Sequence, residues 1–181
     1  MIDSCYDAND HTKEVYAHFG LAYYESGCLE SGLAIGLLVA DFLAGWKRKL
    51  DRDGKARFDR KVYETEFDRF LKDQHQQTLG NLIKRLNNKI VVPSELKGRL
   101  DRAKTMRDIL AHHYFRDRAT DFVKRSGRDR MIVELTEMQE TFRTLDKAVQ
   151  ELIEPLRRNV GMTDATMKKF MDAFAQEAYR E

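Results

Sequence analysis

Arg107, Asp108 and His112 have the types and spacing that phosphodiester chemistry uses, and they lie in one stretch, Met106-Arg107-Asp108-Ile109-Leu110-Ala111-His112-His113-Tyr114-Phe115. Asp108 and His112 are four apart, so on a helix they share a face and the carboxylate can orient the imidazole or favour its protonated form. An imidazole takes or gives a proton near neutrality, and a guanidinium presents a planar fork of donors to an anionic phosphate. Arg107 precedes His112 by five positions, about 140° around an ideal helix, so its long side chain or a helix end must bring the two together. His113 and Tyr114 are secondary candidates. Each residue also has an ordinary explanation: Arg107 in a salt bridge, His112 as a packed or capping residue, Tyr114 at the edge of a core.

Other chemistries lose support by absence. The sequence has no Gly-rich phosphate loop, no H-E-x-x-H, no paired C-x-x-C and no G-x-S-x-G. Glu25 and Glu30 are not arranged as E-x-x-H repeats, which argues against a di-iron bundle. Cys5 and Cys28 lack metal-knuckle spacing and read as reduced thiols. The sequence calls for no cofactor and no metal.

The elements that must position these groups are helical. From Thr12 to Trp46 apolar residues recur at helical spacing, predicting one long first helix, and Gly20, Gly27, Gly32 and Gly36 fit close approach by a neighbour or local loosening near Gly27. Residues 47–57 read as a basic, charged loop with a turn at Asp53-Gly54. A second helix is expected from about Phe58 to Leu86, ended by Asn87-Asn88, with Val62, Phe67, Phe70, Leu71, Leu79, Leu82, Ile83 and Leu86 in its core. Ser94 is a candidate cap for a third helix running from Glu95 to about His113. A short fourth helix over 116–124 should end at Ser126-Gly127. Met131, Leu135, Met138, Phe142, Leu145, Val149, Leu152 and Leu156 then alternate by four and three residues, the seam of a long helix packed along another. Pro155 should kink or end that helix. Beyond Gly161, Thr163 can cap a last helix through Tyr179, with Met167, Phe170, Met171 and Phe174 as its stripe.

The chain has 181 residues, 42% hydrophobic and 34% charged, with two prolines, which suits one helix-rich globular domain and excludes collagen-like or wholly disordered classes. The expected organisation is a domain over 1–159 and a helical extension over 160–181 packed on it. The net charge of +2 hides a polarity. Residues 1–46 have one base against seven acids, 47–96 have 13 bases against 8 acids, 97–130 have 11 against 5, and 131–181 have 7 against 10. The basic middle can neutralise phosphates, although a solvated helix face gives the same count. The apolar run from Gly32 to Trp46 is shorter than the roughly 20 residues of a membrane span and contains Asp41, so no membrane association is expected. The acidic N-terminus lacks the order of a secretion signal, which makes cytoplasmic residence the expectation.

Arg107 through His112 fits R-x4-H with a polar residue after the Arg, and the extension R-x4-H-x-Y ends at Tyr114. This segment resembles the signature of the HEPN superfamily. Phe19-Gly20-Leu21-Ala22-Tyr23-Tyr24-Glu25 and Gly127-Arg128-Asp129-Arg130-Met131-Ile132 are similar to stretches in bacterial proteins of this type, and the resemblance covers about residues 12–155. It implies an all-α, up-and-down helical bundle of HEPN type with a long C-terminal helix and an extra terminal helix. It also implies a metal-independent endoribonuclease, a toxin or defence effector, acting on RNA as a homodimer in which Arg and His of two protomers share one cleft. On that resemblance Arg107 stabilises the scissile phosphate, His112 activates the ribose 2′-OH or protonates the leaving oxygen, and Asp108 orients them. The products would be a 2′,3′-cyclic phosphate and a 5′-OH. Tyr114 would be the target of an antitoxin or of a partner nucleotidyltransferase, the latter attaching AMP and silencing the nuclease. His112, which matches the motif, is favoured over His113.

Two further classes compete. A non-catalytic helical module could bind RNA, a nucleotide or a protein partner on the same surface. A purely structural assembly domain could use residues 131–156 as its interface.

Overall fold

The computed structural model describes residues 3–54, 57–166, 168, 169 and 172, with side chains from residue 9 onward except that of residue 75. Every regular element among the described residues is helical, so the fold is all-α. The chain opens with α1 (Asp3–Leu37), which passes through a π-helical stretch, Leu38–Leu43, into α2 (Ala44–Asp53). α1 is unbroken through Gly27, where local loosening is the alternative to close approach, and the irregular stretch is Leu38–Leu43. The charged stretch from Lys47 is helical rather than a loop as far as Asp53. A Lys47–Asp51 pair at 2.8 Å and the Lys49 ammonium, 4.2 Å from the centre of the Trp46 ring, support those turns. Gly54, with φ of +80°, ends the helix in a conformation that side-chain-bearing residues rarely adopt.

The expected second helix is two. α3 (Arg60–His75), capped by Asp59 accepting from the Val62 N–H, is separated by Gln76–Thr78 from α4 (Leu79–Lys89), where the Thr78 hydroxyl accepts from Asn81. Asn87 and Asn88 lie inside α4. α3 folds back on the π-helical stretch and α2 through aromatic contacts, with Phe42 against Tyr63 and Phe67 and Trp46 against Tyr63, while Phe58, ahead of α3, also meets Trp46. α5 (Ser94–His112) begins one residue before its expected start, with Ser94 as its first helical residue and Pro93 ahead of it, so Ser94 makes no side-chain cap. Two single turns follow, α6 (Tyr114–Asp117) and α7 (Ala119–Phe122), then α8 (Arg125–Asn159).

Gly127, expected to break the chain, lies in the first turn of α8. A Cβ there would come within 2.1 Å of the Asp121 carbonyl oxygen, so glycine lets the α7 and α8 backbones meet. Pro155 lies inside α8, which continues to Asn159. Of the long seam, Met131 through Val149 are buried, and Ile153 takes the inward position in place of Leu152 and Leu156. Beyond Gly161, the Thr163 hydroxyl accepts from the Thr166 N–H. The stripe Met167, Phe170, Met171 and Phe174 lies outside the described residues.

α1 and α8 run parallel: Arg128 meets His11, Gln139 meets His18, Arg143 meets Glu25 and Ile153 meets Gly36. α5 runs antiparallel to α1, with Arg107 beside Glu30 and Phe115 beside Phe19 and Tyr16. Between these helices Leu29, Leu33, Leu37, Leu86, Leu100, Leu135, Phe142 and Leu145 form one core with α4. Gly32 and Gly36 meet α8 and α4 side chains as the close-approach reading expects, whereas Gly20 and Gly27 face open space. The helical rod Asn9–Asp53 contains an 18-residue window long and apolar enough to cross a membrane, which the count from Gly32 to Trp46 had missed. In this bundle its Leu29, Leu33 and Leu37 are wholly buried, and Asp41 pairs with Lys89 at 2.8 Å.

Candidate nuclease site at the end of α5

On α5 the inward positions are Leu96, Leu100, Ala103 and Leu110, and Tyr114 follows on α6 in the same register. Arg107 occupies the remaining place in that 4-3 register. A guanidinium on the inward stripe needs an acid, because an unpaired charge away from water is strongly disfavoured. Glu30 of α1 supplies it: Arg107 Nε donates to Glu30 Oε1 at 2.9 Å, with the two side chains 21% and 26% exposed. The Nε contact fixes the plane of the guanidinium and leaves its Nη amines for a further acceptor, with Asp108 Oδ1 3.8 Å from Nη1.

Asp108 is half-exposed, and Lys104 donates to its carboxylate at 3.0 Å, one turn towards the start of the helix. The carboxylate therefore turns away from His112 in this conformation. His112 is the last residue of α5, exposed, and makes no hydrogen bond among the described residues. Its ring centre lies 5.9 Å from that of His113. His113 is also exposed but is engaged: Arg116 Nη2 lies 2.9 Å from its Nδ1, and since a guanidinium only donates, Nδ1 is the acceptor. Among the described residues the two imidazoles differ in availability, and the one without a partner matches the motif.

Tyr114 is buried, 1% exposed. Its hydroxyl has the Met131 carbonyl and a Glu134 carboxylate oxygen as acceptors, each at 3.3 Å. Arg118 donates to the same carboxylate at 2.9 and 2.5 Å. Burial, reinforced by the Glu134 charge, pushes the phenol well above its ordinary range, so it stays protonated at physiological pH. Phe115 packs on Phe19 at 4.8 Å and on Tyr16 at 5.4 Å, and with the Tyr114 network it clamps the end of α5 between α1 and α8.

The motif is thus split by environment. Arg107 is fixed at the bundle wall, His112 projects at the helix end, and Tyr114 is a core residue. Reading residue types along the chain missed Glu30 as the partner of Arg107, and Glu134 with Arg118 as holders of Tyr114. The signal for the first was available: extending the register from Leu100 and Ala103 to 107 places a charge inward and demands an acid on the facing helix. Glu25 is instead paired with Arg143 of α8 at 2.9 Å.

No family model, curated protein or solved structure matches the chain.

Proposed function

We propose that the chain is a metal-independent endoribonuclease of HEPN type, a cytoplasmic toxin or defence effector that cleaves RNA at a site shared between two copies of itself. One observation carries this reading. A guanidinium held in place through its Nε and an exposed imidazole with no hydrogen bond among the described residues stand on the same helix, about 7.5 Å apart along its axis. One takes the phosphate charge and the other moves the proton.

In this scheme His112 removes the proton from a ribose 2′-OH, and the 2′ oxygen attacks the adjacent phosphorus. The bond from phosphorus to the 5′ oxygen breaks, and that oxygen receives a proton from an imidazole at the same cleft. Charge grows on the non-bridging oxygens as the new bond forms, where the Nη amines of Arg107 stabilise it. The products are a 2′,3′-cyclic phosphate and a 5′-OH. Because Arg107 and His112 lie on different sides of α5, a second protomer that brings its own pair across the cleft completes the constellation.

The Arg107–Glu30 pair also favours a second reading, a non-catalytic helical module in which that pair only ties α5 to α1. An antitoxin nucleotidyltransferase acting on Tyr114 would require α6 to lift from α8, because the phenol is enclosed in this conformation. The test of the main reading is cleavage of RNA in chelator by highly purified protein, with end-group analysis of the products. Cyclic phosphate ends that disappear in His112→Ala support the nuclease. Salt-sensitive RNA binding without cleavage supports the module.

A further inference from the structure

Beside Glu30, on the side of α1 facing the end of α3 and the start of α4, the bundle forms a cavity of about 250 Å³ that is partly open to solvent. Its apolar wall includes Ala34 and Leu71, and its polar lining is Glu30, Ser31, Gln74 and Gln77. Most donors of this polar set are already used. The Ser31 hydroxyl donates to the Gly27 carbonyl at 3.0 Å, and the Gln77 amide nitrogen donates to the Asp73 carbonyl and carboxylate at 3.1 and 3.3 Å. Gln74 Nε2 donates to Asp73 Oδ2 at 3.2 Å, while Gln74 Oε1, in a residue only 3% exposed, is buried with no donor to meet it. Glu30 Oε1 accepts from Arg107, which leaves Oε2.

The cavity therefore offers acceptors and few donors, and its one carboxylate is already neutralised by Arg107. Gln74 Oε1 lies beneath the wall, out of reach of a ligand, so the acceptors left to one are those of Glu30 and Gln77, and a ligand here gains by supplying N–H groups. A cation would compete with Arg107 for the same carboxylate, which favours a neutral donor edge on a compact apolar body. The volume, somewhat below the usual range of about 300–1,000 Å³ for small-molecule sites, suits a single ring system.

We infer that this cavity is a nucleobase subsite selecting guanine, whose adjacent N1–H and N2–H2 groups face the acceptors of Glu30 and Gln77. The assignment rests on the RNA-cleaving reading and deepens it. Glu30 then serves two purposes, holding Arg107 through one oxygen and a base of the substrate through the other, so that base choice is coupled to phosphate positioning. Uracil, with one ring N–H between two carbonyl acceptors, is the poor fit.

The experiment is calorimetric titration of the full chain with guanosine and with uridine, nucleosides that carry no phosphate for Arg107 to grip. It is repeated with Gln77→Leu and with Ala34→Leu, which fills the cavity. Guanosine is expected to bind about tenfold or more tightly than uridine, the effect of roughly one hydrogen bond, and both variants should lose that preference. Guanosine should also slow amide exchange over residues 71–77 of the wild type, a readout that does not depend on the variants folding. Equal binding of the two nucleosides, or no change in exchange over 71–77, overturns the subsite. RNA cleavage without base preference removes the subsite and leaves the nuclease standing. Guanosine binding without RNA cleavage does the reverse.

Discussion

Arg107 on α5 and Glu30 on α1 meet at 2.9 Å across the bundle wall although 77 positions separate them in the chain. The pair joins the motif helix to the rod around which the core is built, and it fixes the position of the guanidinium. Both side chains are withdrawn enough from water to make their coupling measurable. A double-mutant cycle on unfolding free energy with Glu30→Gln and Arg107→Gln should give an interaction of about 1 kcal/mol, within the usual range for contacting residues. A coupling near zero would mean that the guanidinium is not held there in solution.

Gly127 should tolerate no side chain. A Cβ there meets the Asp121 backbone, which cannot swing aside as a side-chain tip would. Gly127→Ala is expected to destabilise by about 1–3 kcal/mol, the range for overpacking. Gly20→Ala, where a Cβ meets nothing, should be neutral or stabilising by up to about 1 kcal/mol through helix propensity. Denaturant melts of the two variants check this, and equal effects would contradict the close approach of α7 and α8.

Asp146 on α8 carries a buried, unpartnered Oδ1. Burial raises its carboxyl above the ordinary range, with Glu25 adding to the rise and a Gln150 hydrogen bond opposing it. A folded-state value above the unfolded one means that the group's contribution to stability is fully present below about pH 4 and is lost as pH rises through the raised value. Asp146→Asn, which cannot ionise, should therefore melt higher than wild type at pH 7, with the gap narrowing towards pH 4. A wild type that melts higher than the variant at pH 7 would reverse that assignment.

Tyr114 separates a structural role from a chemical one. Tyr114→Phe keeps the ring in the core and removes only the hydroxyl, while Arg118 still satisfies Glu134. The expected loss is about 1 kcal/mol of stability. RNA cleavage at a temperature where the variant is folded should persist. Abolished cleavage by a folded Tyr114→Phe would move the phenol into the reacting site.

How far the sequence announced this structure depends on the kind of signal. The α8 seam was legible because Met131, Leu135, Met138, Phe142, Leu145 and Val149 repeat at a spacing that only a helix edge satisfies. It failed at its end because a straight helix drifts by about 20° per heptad, which carries Leu152 off the buried face and brings Ile153 onto it. The break between α3 and α4 carries no proline or glycine, only Gln76-Gln77-Thr78, and becomes visible when the Thr78 cap is seen. Charge density at residues 47–53 resembles a loop in sequence but folds as helix, where neighbouring turns pair Lys47 with Asp51. At the site, the R-x4-H spacing pointed to α5, but residue types alone could not distinguish a fixed Arg107, a free His112, an occupied His113 and an enclosed Tyr114. Those differences come from which helix each side chain faces.

The central claim is tested most directly by product analysis of an RNA incubated in chelator with wild type, His112→Ala and His113→Ala, each confirmed to be folded. The account expects 2′,3′-cyclic phosphate ends from wild type and His113→Ala, and a loss of at least about 100-fold in His112→Ala, the scale of one general acid–base group. Cleavage by His112→Ala at the wild-type rate, or no cyclic phosphate from the wild type, would contradict it.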